Sequence, residues 1–143
     1  MTPRGFSQLE LAVVLVLTAL IAGLGVPALT HVADRAVVNA AAHRIIGAHR
    51  EARLVAVTTQ RMALLSLAAD TLELRTALGG DTTLVWRRAG PRALGVEVIG
   101  NPRTMYFIPY GYTIGGSNTS YTLRKGSAQK KVIISRLGRV RVE

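Results

Sequence analysis

The chain has 143 residues and no cysteine, so neither a disulfide framework nor a thiolate metal site is available to it. Its length suits one folded domain with an appended segment. The fold must therefore depend on packing alone.

Acidic residues are also scarce, with eight in the whole chain. The four between residues 61 and 100 are dispersed: Asp70, Glu73, Asp81 and Glu97. This spacing argues against a pair of carboxylates working as general acid and base. The glycine-rich stretches GGDTT and GGSNTS lack the Lys-Ser/Thr ending of a phosphate-binding loop and are typical of hairpin turns.

The three histidines, His31, His43 and His49, lie on or near a predicted helix. None of them has a partner at the i, i+4 spacing that places two ligands on one face of a helix, and no cysteine completes a metal site. We interpret them as solvated helix side chains. The sequence thus predicts a protein that is no enzyme and has no cofactor, no metal and no catalytic residue.

Positive charge is abundant and uneven. The formal net charge is +10, and residues 101–143 hold eight basic side chains against one acidic. Such an imbalance attracts polyanions, whether nucleic acid, anionic lipid headgroups or acidic polymers. By itself it does not choose among them, and a basic surface kept for solubility remains an alternative.

A long apolar run stands near the start of the chain. No residue from Leu11 to Leu29 is formally charged, and about 20 helical residues cross a bilayer core. Pro27 interrupts the run, since its ring removes a backbone donor and bends a helix. Glu10 stands at the head of the run, where a carboxylate is costly, and is therefore a candidate functional residue.

Three interpretations fit this segment. A secretory signal peptide would use Arg4 as its charged region and be cut near the small residues of VPAL, but an acid at its head is unusual. An uncleaved anchor would leave Glu10 without a purpose. The third interpretation is a processed helix that serves in assembly.

The stretch RGFSQLELAVVLVL resembles the class III signal of type IV pilins and of type II secretion pseudopilins. Gly5, Phe6 and Glu10 stand on the family's positions for the last leader residue, the first mature residue and the fifth, and Pro27 matches the proline that interrupts the family's helix. Gln8 departs from the aliphatic residue usual at its place.

The resemblance implies that a prepilin peptidase cuts between Gly5 and Phe6 and methylates the new amine of Phe6. It also implies that Glu10 pairs with the amino terminus of a neighbouring subunit, which makes a buried carboxylate tolerable during filament assembly. The alternative for Glu10 is a carboxylate at headgroup level that ends the membrane segment.

The helical pattern continues beyond the apolar run. Apolar residues recur at three- and four-residue steps: Val37, Ala41, Ile45, Ala48, Ala52 and Val55. Basic and polar residues, Arg53 among them, occupy the opposite phase. This predicts one helix from about Phe6 to about Val57, whose second half covers a sheet.

After Thr59 the sequence changes to short β-prone runs separated by turn residues. The expected strands are Met62–Leu67, Thr71–Arg75, Thr82–Trp86, Leu94–Ile99, Met105–Pro109, Ser120–Arg124, Lys131–Arg136 and Arg139–Glu143. The predicted fold is α+β: a long N-terminal helix with a membrane half and an amphipathic half, packed on a C-terminal head of one or two antiparallel sheets.

The boundaries follow from these patterns. We expect a cleaved leader at residues 1–5, a transmembrane and filament-core helix at 6–30, an amphipathic extension at 31–58 and a β-rich globular head at 59–143.

Three further stretches, IIGAHREARLVAV, FIPYGYT and VIISRLGRVRVE, make nearly the whole chain similar to the GspH/FimT family. This family unites the H-type minor pseudopilin of type II secretion with the FimT-type minor pilin. The GRxR ending, at Gly138, Arg139 and Arg141, is its most specific C-terminal sign. The Phe-x-Pro-x-Gly at Phe107–Gly111 is weaker, and HREAR departs from the family's usual order.

In members of this family that serve natural transformation, the GRxR ending is linked to binding of incoming DNA. The resemblance therefore points to Arg139 and Arg141, with Gly138 shaping the loop and leaving the approach open. On a strand these arginines would share one face about 7 Å apart, and each guanidinium can hold a phosphate by two donors.

The charge pattern adds five basic residues that could border the same surface: Arg124, Lys125, Lys130, Lys131 and Arg136. Tyr110, Tyr112 and Tyr121 need not lie beside it, so the sequence gives stacking on bases little weight.

The resemblance thus implies a FimT-type minor pilin that stands in the bacterial inner membrane with its head in the periplasm and then enters a filament. Its partners would be other pilin or pseudopilin subunits, prepilin peptidase, the inner-membrane assembly platform and DNA. The alternative is an H-type minor pseudopilin of type II secretion, a structural subunit of tip assembly that binds no DNA. A signal-anchored periplasmic binding module outside any filament is the third alternative.

The mature N-terminus distinguishes these interpretations. In a bacterium that has a prepilin peptidase, we expect the mass of the mature chain to show cleavage after Gly5 and one added methyl group. Cleavage near Ala28 would instead identify a secretory signal peptide and contradict the pilin-type interpretation.

Overall fold

The computed structural model describes residues 7–100, 103–114, 119–135 and 138–143, and of residues 24–28 only the backbone. A long helix, α1, spans Gln8–Thr59 and is followed by β-strands, which confirms the predicted α+β class. The chain forms two compact units, Met1–Ala33 and Asp34–Glu143.

The first unit contains the beginning of α1. The backbone stays helical past position 27, and the described side chains from Gln8 to Gly23 are exposed. Among the described residues, no helical stretch combines the length and the apolar character needed to cross a membrane. The predicted processing residues Gly5 and Phe6, and the side chain of Pro27, lie outside the described residues.

In the second unit, α1 buries a face made mostly of small residues. The buried side chains are Val38, Ala41, Ala42, Ile45, Ala48, His49, Ala52 and Ala56. Val37 and Val55, which the apolar pattern placed on this face, are only partly buried and flank it. The buried face of α1 is therefore rotated slightly about the helix axis from the predicted one, and it includes His49.

Nine strands lie in the described part of the chain: β1 Met62–Leu67, β2 Thr71–Leu78, β3 Asp81–Ala89, β4 Glu97–Ile99, β5 Arg103–Phe107, β6 Thr113–Ile114, β7 Thr119–Lys125, β8 Ala128–Ile134 and β9 Val140–Val142. Sheet 1 has the order β3-β2-β1-β5-β6, and sheet 2 has the order β4-β7-β8-β9. Every pair between these strands is antiparallel, as predicted.

Both sheets and the helix contribute to one hydrophobic core. Burial alternates along the strands, as it does in β1, where Ala63, Leu65 and Leu67 are buried and the residues between them are not. The largest fully buried side chains are Tyr121 from sheet 2 and Phe107 from sheet 1.

The strand predicted at Leu94–Ile99 is wrong in its first half and confirmed at Glu97–Ile99. Pro91–Leu94 forms a 3-10 turn, and Gly95 ends it in the left-handed region with φ 70°. Because a left-handed residue interrupts an extended strand, β4 begins only at Glu97.

The strand predicted at Met105–Pro109 also ends early. Beyond Phe107 the chain turns, with the amide of Gly111 donating to the carbonyl of Ile108 at 2.8 Å. It then returns as the two-residue strand β6, which is too short to give a sequence pattern of its own. This turn, Ile108–Tyr112, lies beside the candidate site.

Candidate functional site

Three sequence segments that were singled out separately meet at one corner of the head. They are the part of α1 that contains His49 and Arg53, the turn Ile108–Tyr112, and the connection between β8 and β9, which contains Gly138 and Arg139. A Cβ built on Gly111 would lie 3.1 Å from Arg53 Nε, and one built on Gly138 would lie 3.9 Å from His49 Cε1. Side chains of the helix therefore lie against both loops.

Hydrogen bonds among the described residues hold the connection between β8 and β9. The amide of Gly138 donates to the carbonyl of Ser135, and the amide of Ser135 donates to the carbonyl of Arg139, both at 2.9 Å. The amide of Arg139 also donates to the hydroxyl of Ser135 at 3.0 Å. Ser135 thus holds the backbone of Arg139, while Arg136, which lies between them in sequence, is outside the described residues.

Gly138 has a different role from the one expected. Its φ is 76°, in the left-handed region that favours glycine. A Cβ there would point toward His49 and Thr113 at ordinary contact distances, rather than into the approach to Arg139. The glycine therefore serves the backbone conformation of the loop and does not keep the approach open.

Arg53, Ser135, Gly138 and Arg139 line a shallow depression of about 620 Å³, here called the cationic groove. Both arginines are exposed. Neither has a carboxylate partner among the residues that the structure describes. Two arginines thus line the cationic groove without a compensating acid in the described part of the chain.

Arg141 lies apart from this groove, on the outer face of sheet 2. It stands opposite Ile133 in the register of β8 and β9. Its Nε is 3.2 Å from a carboxylate oxygen of Glu143, and its side chain is 74% exposed. Arg139 lies one residue before β9, and its carbonyl accepts a hydrogen bond from the amide of Ser135 next to the pair Ile134–Val140.

Two other predicted cations share that outer face. Lys131 is exposed on β8 and lies two residues before Ile133, so both are on the same face of the strand. Lys131 stands opposite Thr122 of β7, and Arg124 follows Thr122 by two residues on that face. Arg124 donates two hydrogen bonds to Glu97, at 2.7 and 3.1 Å. Exposed ion pairs of this kind contribute little to stability, so Arg124 and Arg141 are available to another anion.

The remaining two predicted cations point elsewhere. Lys125 Nζ donates to the carbonyl of Leu94 at 3.2 Å. Lys130 lines a separate depression of about 290 Å³ that Arg35 and Asn39 of the helix also border. The basic residues of the C-terminal third therefore do not form one continuous surface in the described structure.

Two tyrosines, to which the sequence analysis gave little weight, lie in the turn that contacts Arg53. Tyr110 and Tyr112 flank Gly111 in the turn that contacts Arg53, and they are 82% and 55% exposed. Tyr121 is instead buried, and burial raises the pKa of its hydroxyl. The signal that could have found the first two was the glycine between them, which lets the turn approach the helix.

His49 is buried under the same corner, contrary to the expectation of a solvated helix histidine. Its ring meets the edge of Phe107 with centroids 4.9 Å apart, and its Nε2 has no hydrogen-bond partner among the described residues. Burial, and then the charge of Arg53, lower the pKa of His49 from 6.5 to about 4. His49 is therefore neutral at pH 7. In the described part of the chain no group of three or more His, Cys, Asp or Glu could hold a metal ion.

Glu10 takes part in a capping box at the start of α1. The amide of Ser7 donates to Glu10 Oε2 at 2.9 Å, and the amide of Glu10 donates to the hydroxyl of Ser7 at 3.2 Å. This reciprocal pair satisfies amides that a helix start leaves without partners. Glu10 thus has a local structural role in addition to the one expected from the resemblance.

Comparison with known proteins identifies the fold. No protein-family model and no curated protein matches the chain. Two crystal structures of the type IV minor pilin FimU of Pseudomonas aeruginosa resemble it, with TM-scores of 0.59 and 0.62 at 16% and 17% sequence identity. The likeness covers 73% and 74% of this chain, and 91% and 87% of the two FimU chains. The chain therefore has the fold of a type IV minor pilin.

The buried histidine predicts a pH dependence of stability. Because folding lowers the pKa of His49, the unfolded chain takes up this proton first as the pH falls. We expect the free energy of unfolding to be retained above about pH 6.5 and to decrease between pH 6.5 and pH 4. Denaturant unfolding at a series of pH values measures this decrease.

The control uses a second histidine of the same helix. His49→Gln should abolish most of the decrease, whereas His43→Gln, at an exposed position, should leave it unchanged. A wild-type stability that is flat across this range would contradict the burial of a neutral His49.

Proposed function

We propose that this chain is a minor type IV pilin of the FimT type, which enters a filament and binds DNA through its basic C-terminal end during natural transformation. The observation that supports this best is the cationic groove, where the GRxR loop and the helix present two guanidinium groups without an acidic partner among the described residues. The fold of the chain agrees with a filament subunit.

The proposed life cycle follows from the N-terminal segment. Prepilin peptidase removes residues 1–5 and methylates Phe6, and the helix holds the chain in the inner membrane with the head in the periplasm. The assembly platform then moves it into the filament beside other pilin subunits. Glu10 serves there as the partner of a neighbouring amino terminus, and Pro27 belongs to the helix segment that packs in the filament.

The proposed DNA contact is to the phosphate backbone. Guanidinium forks bind phosphate oxygens by two donors, and such contacts have no access to base identity. Arg139 provides this contact in the groove, and Arg141, Arg124 and Lys131 extend it over the outer face of sheet 2. Binding of this kind is independent of sequence and weakens steeply with salt.

A salt titration tests the DNA contact. For the full chain in a zwitterionic detergent, we expect the affinity for a short labelled DNA duplex to fall linearly on a log–log plot against salt. The double variant Arg139→Gln/Arg141→Gln should flatten the slope by about 1.8, because each phosphate contact contributes about 0.9. Fluorescence anisotropy measures the affinity at each salt concentration.

A matched double variant controls for the loss of charge. Arg87→Gln/Arg92→Gln also removes two exposed arginines, which pair with Glu73 and Asp70. It should leave the slope unchanged. Absence of binding at low salt, or equal slopes in both double variants, would reject the DNA contact and favour the H-type secretion subunit.

The filament role of Glu10 can be separated from its role in the helix cap. Glu10→Gln keeps a side chain that can close the capping box but removes the charge, whereas Ser7→Ala breaks the box and keeps the charge. We expect Glu10→Gln to prevent incorporation and Ser7→Ala to permit it, as measured by immunoblots of sheared filaments. The opposite pattern would show that Glu10 acts through the cap.

A further inference from the structure

Arg53 belongs to no motif that was linked to binding, and the sequence pattern placed it on the solvated side of the helix. In the structure it lines the cationic groove together with Arg139, which comes from the loop between β8 and β9. We infer that Arg53 and Arg139 clamp one backbone phosphate of DNA between the helix and this loop. This inference rests on the proposed DNA binding and assigns a second anchor to it.

The charge distribution supports an anion between the two arginines. The described residues that line the groove are Arg53, Ser135, Gly138 and Arg139, and these include two cations and no acid. Two arginines that line one depression repel each other, and an anion bound there attracts both of them and offsets this repulsion. The effect of Arg53 on the pKa of His49 shows that its charge acts at this corner of the head.

Neighbouring groups position the side chain of Arg53 and the backbone of Arg139. A Cβ on Gly111 would lie 3.1 Å from Arg53 Nε and 3.5 Å from one of its terminal nitrogens, so the turn Ile108–Tyr112 packs directly against the guanidinium. On the other side, the hydroxyl of Ser135 accepts a hydrogen bond from the amide of Arg139. Groups that are already positioned lose less conformational entropy when they bind.

The shape of the site favours a phosphodiester over a small free anion. The groove is open and measures about 620 Å³, which leaves room for the sugars on both sides of a phosphate. Both guanidinium forks can donate two hydrogen bonds, so four donors are available for the phosphate oxygens. Exposed Tyr110 and Tyr112 lie in the turn behind Arg53 and form part of the same corner.

A binding experiment with a matched control tests the clamp. The full chain in detergent is titrated with a labelled DNA duplex as wild type, Arg53→Gln, Arg139→Gln, the double variant of these two, and Arg44→Gln. Arg44 is exposed on the same helix, nine residues earlier, and nine steps of about 100° place it on the opposite side. Circular dichroism of each variant checks that the fold is retained.

We expect Arg53→Gln and Arg139→Gln each to weaken binding about tenfold, as loss of a charge-assisted hydrogen-bond pair does, and to flatten the salt slope by about 0.9. Arg44→Gln should match the wild type. Because the clamp needs both arginines to hold the phosphate, loss of either one releases it, and the double variant should bind about as weakly as either single variant, with the same slope.

Each other result has a distinct meaning. If Arg53→Gln matches Arg44→Gln while Arg139→Gln weakens binding, the clamp is wrong and the proposed DNA binding stands. If the losses of the two single variants multiply in the double variant, Arg53 contacts a different phosphate and the shared clamp is again wrong. If the wild type does not bind DNA, the proposed function fails and the clamp with it.

Discussion

The packing of the small-residue face of α1 against two sheets is the constraint on which the rest of the head depends. Alanines at positions 41, 42, 48, 52 and 56 present little bulk, and the larger Ile45 and the rings of Phe107 and Tyr121 fill the space around them. Burial of apolar surface stabilises such a core by about 25 cal/mol per Å². Because interiors are close-packed, this face also determines the rotation of the helix about its axis and hence the direction of every exposed side chain on it.

That rotation determines where the chemistry of the head lies. It buries His49 against Phe107 and turns Arg53 toward the turn Ile108–Tyr112 and the loop that contains Arg139. The histidine stays neutral because it is buried, so among the described residues that line the groove the positive charge belongs to Arg53 and Arg139. His49, a core residue, and Arg53, a candidate binding residue, thus lie about one turn apart on the same helix.

The cations of the C-terminal end fall into two groups that differ in their electrostatics. On the outer face of sheet 2, Arg124 and Arg141 have carboxylate neighbours, Glu97 and Glu143. In the cationic groove, Arg53 and Arg139 have none among the described residues. An exposed ion pair contributes at most about 1 kcal/mol, so the paired group can exchange partners at small cost, while the unpaired group gains most from a bound anion.

The long helix, most strands and the antiparallel head were predictable from the sequence, because apolar periods of 3.6 and 2 residues are local properties of the chain. The sequence also indicated the GRxR arginines as candidates. The packing of the helix on the sheets was needed to find that Gly95 interrupts the strand predicted at Leu94–Ile99, that His49 is buried, and that Arg53 and Arg139 line one groove. The reason is that burial and contacts between distant residues depend on how the helix is rotated on the sheets. The sequence pattern places Arg53 on the polar side of the helix but does not show which residues of the loops lie near it.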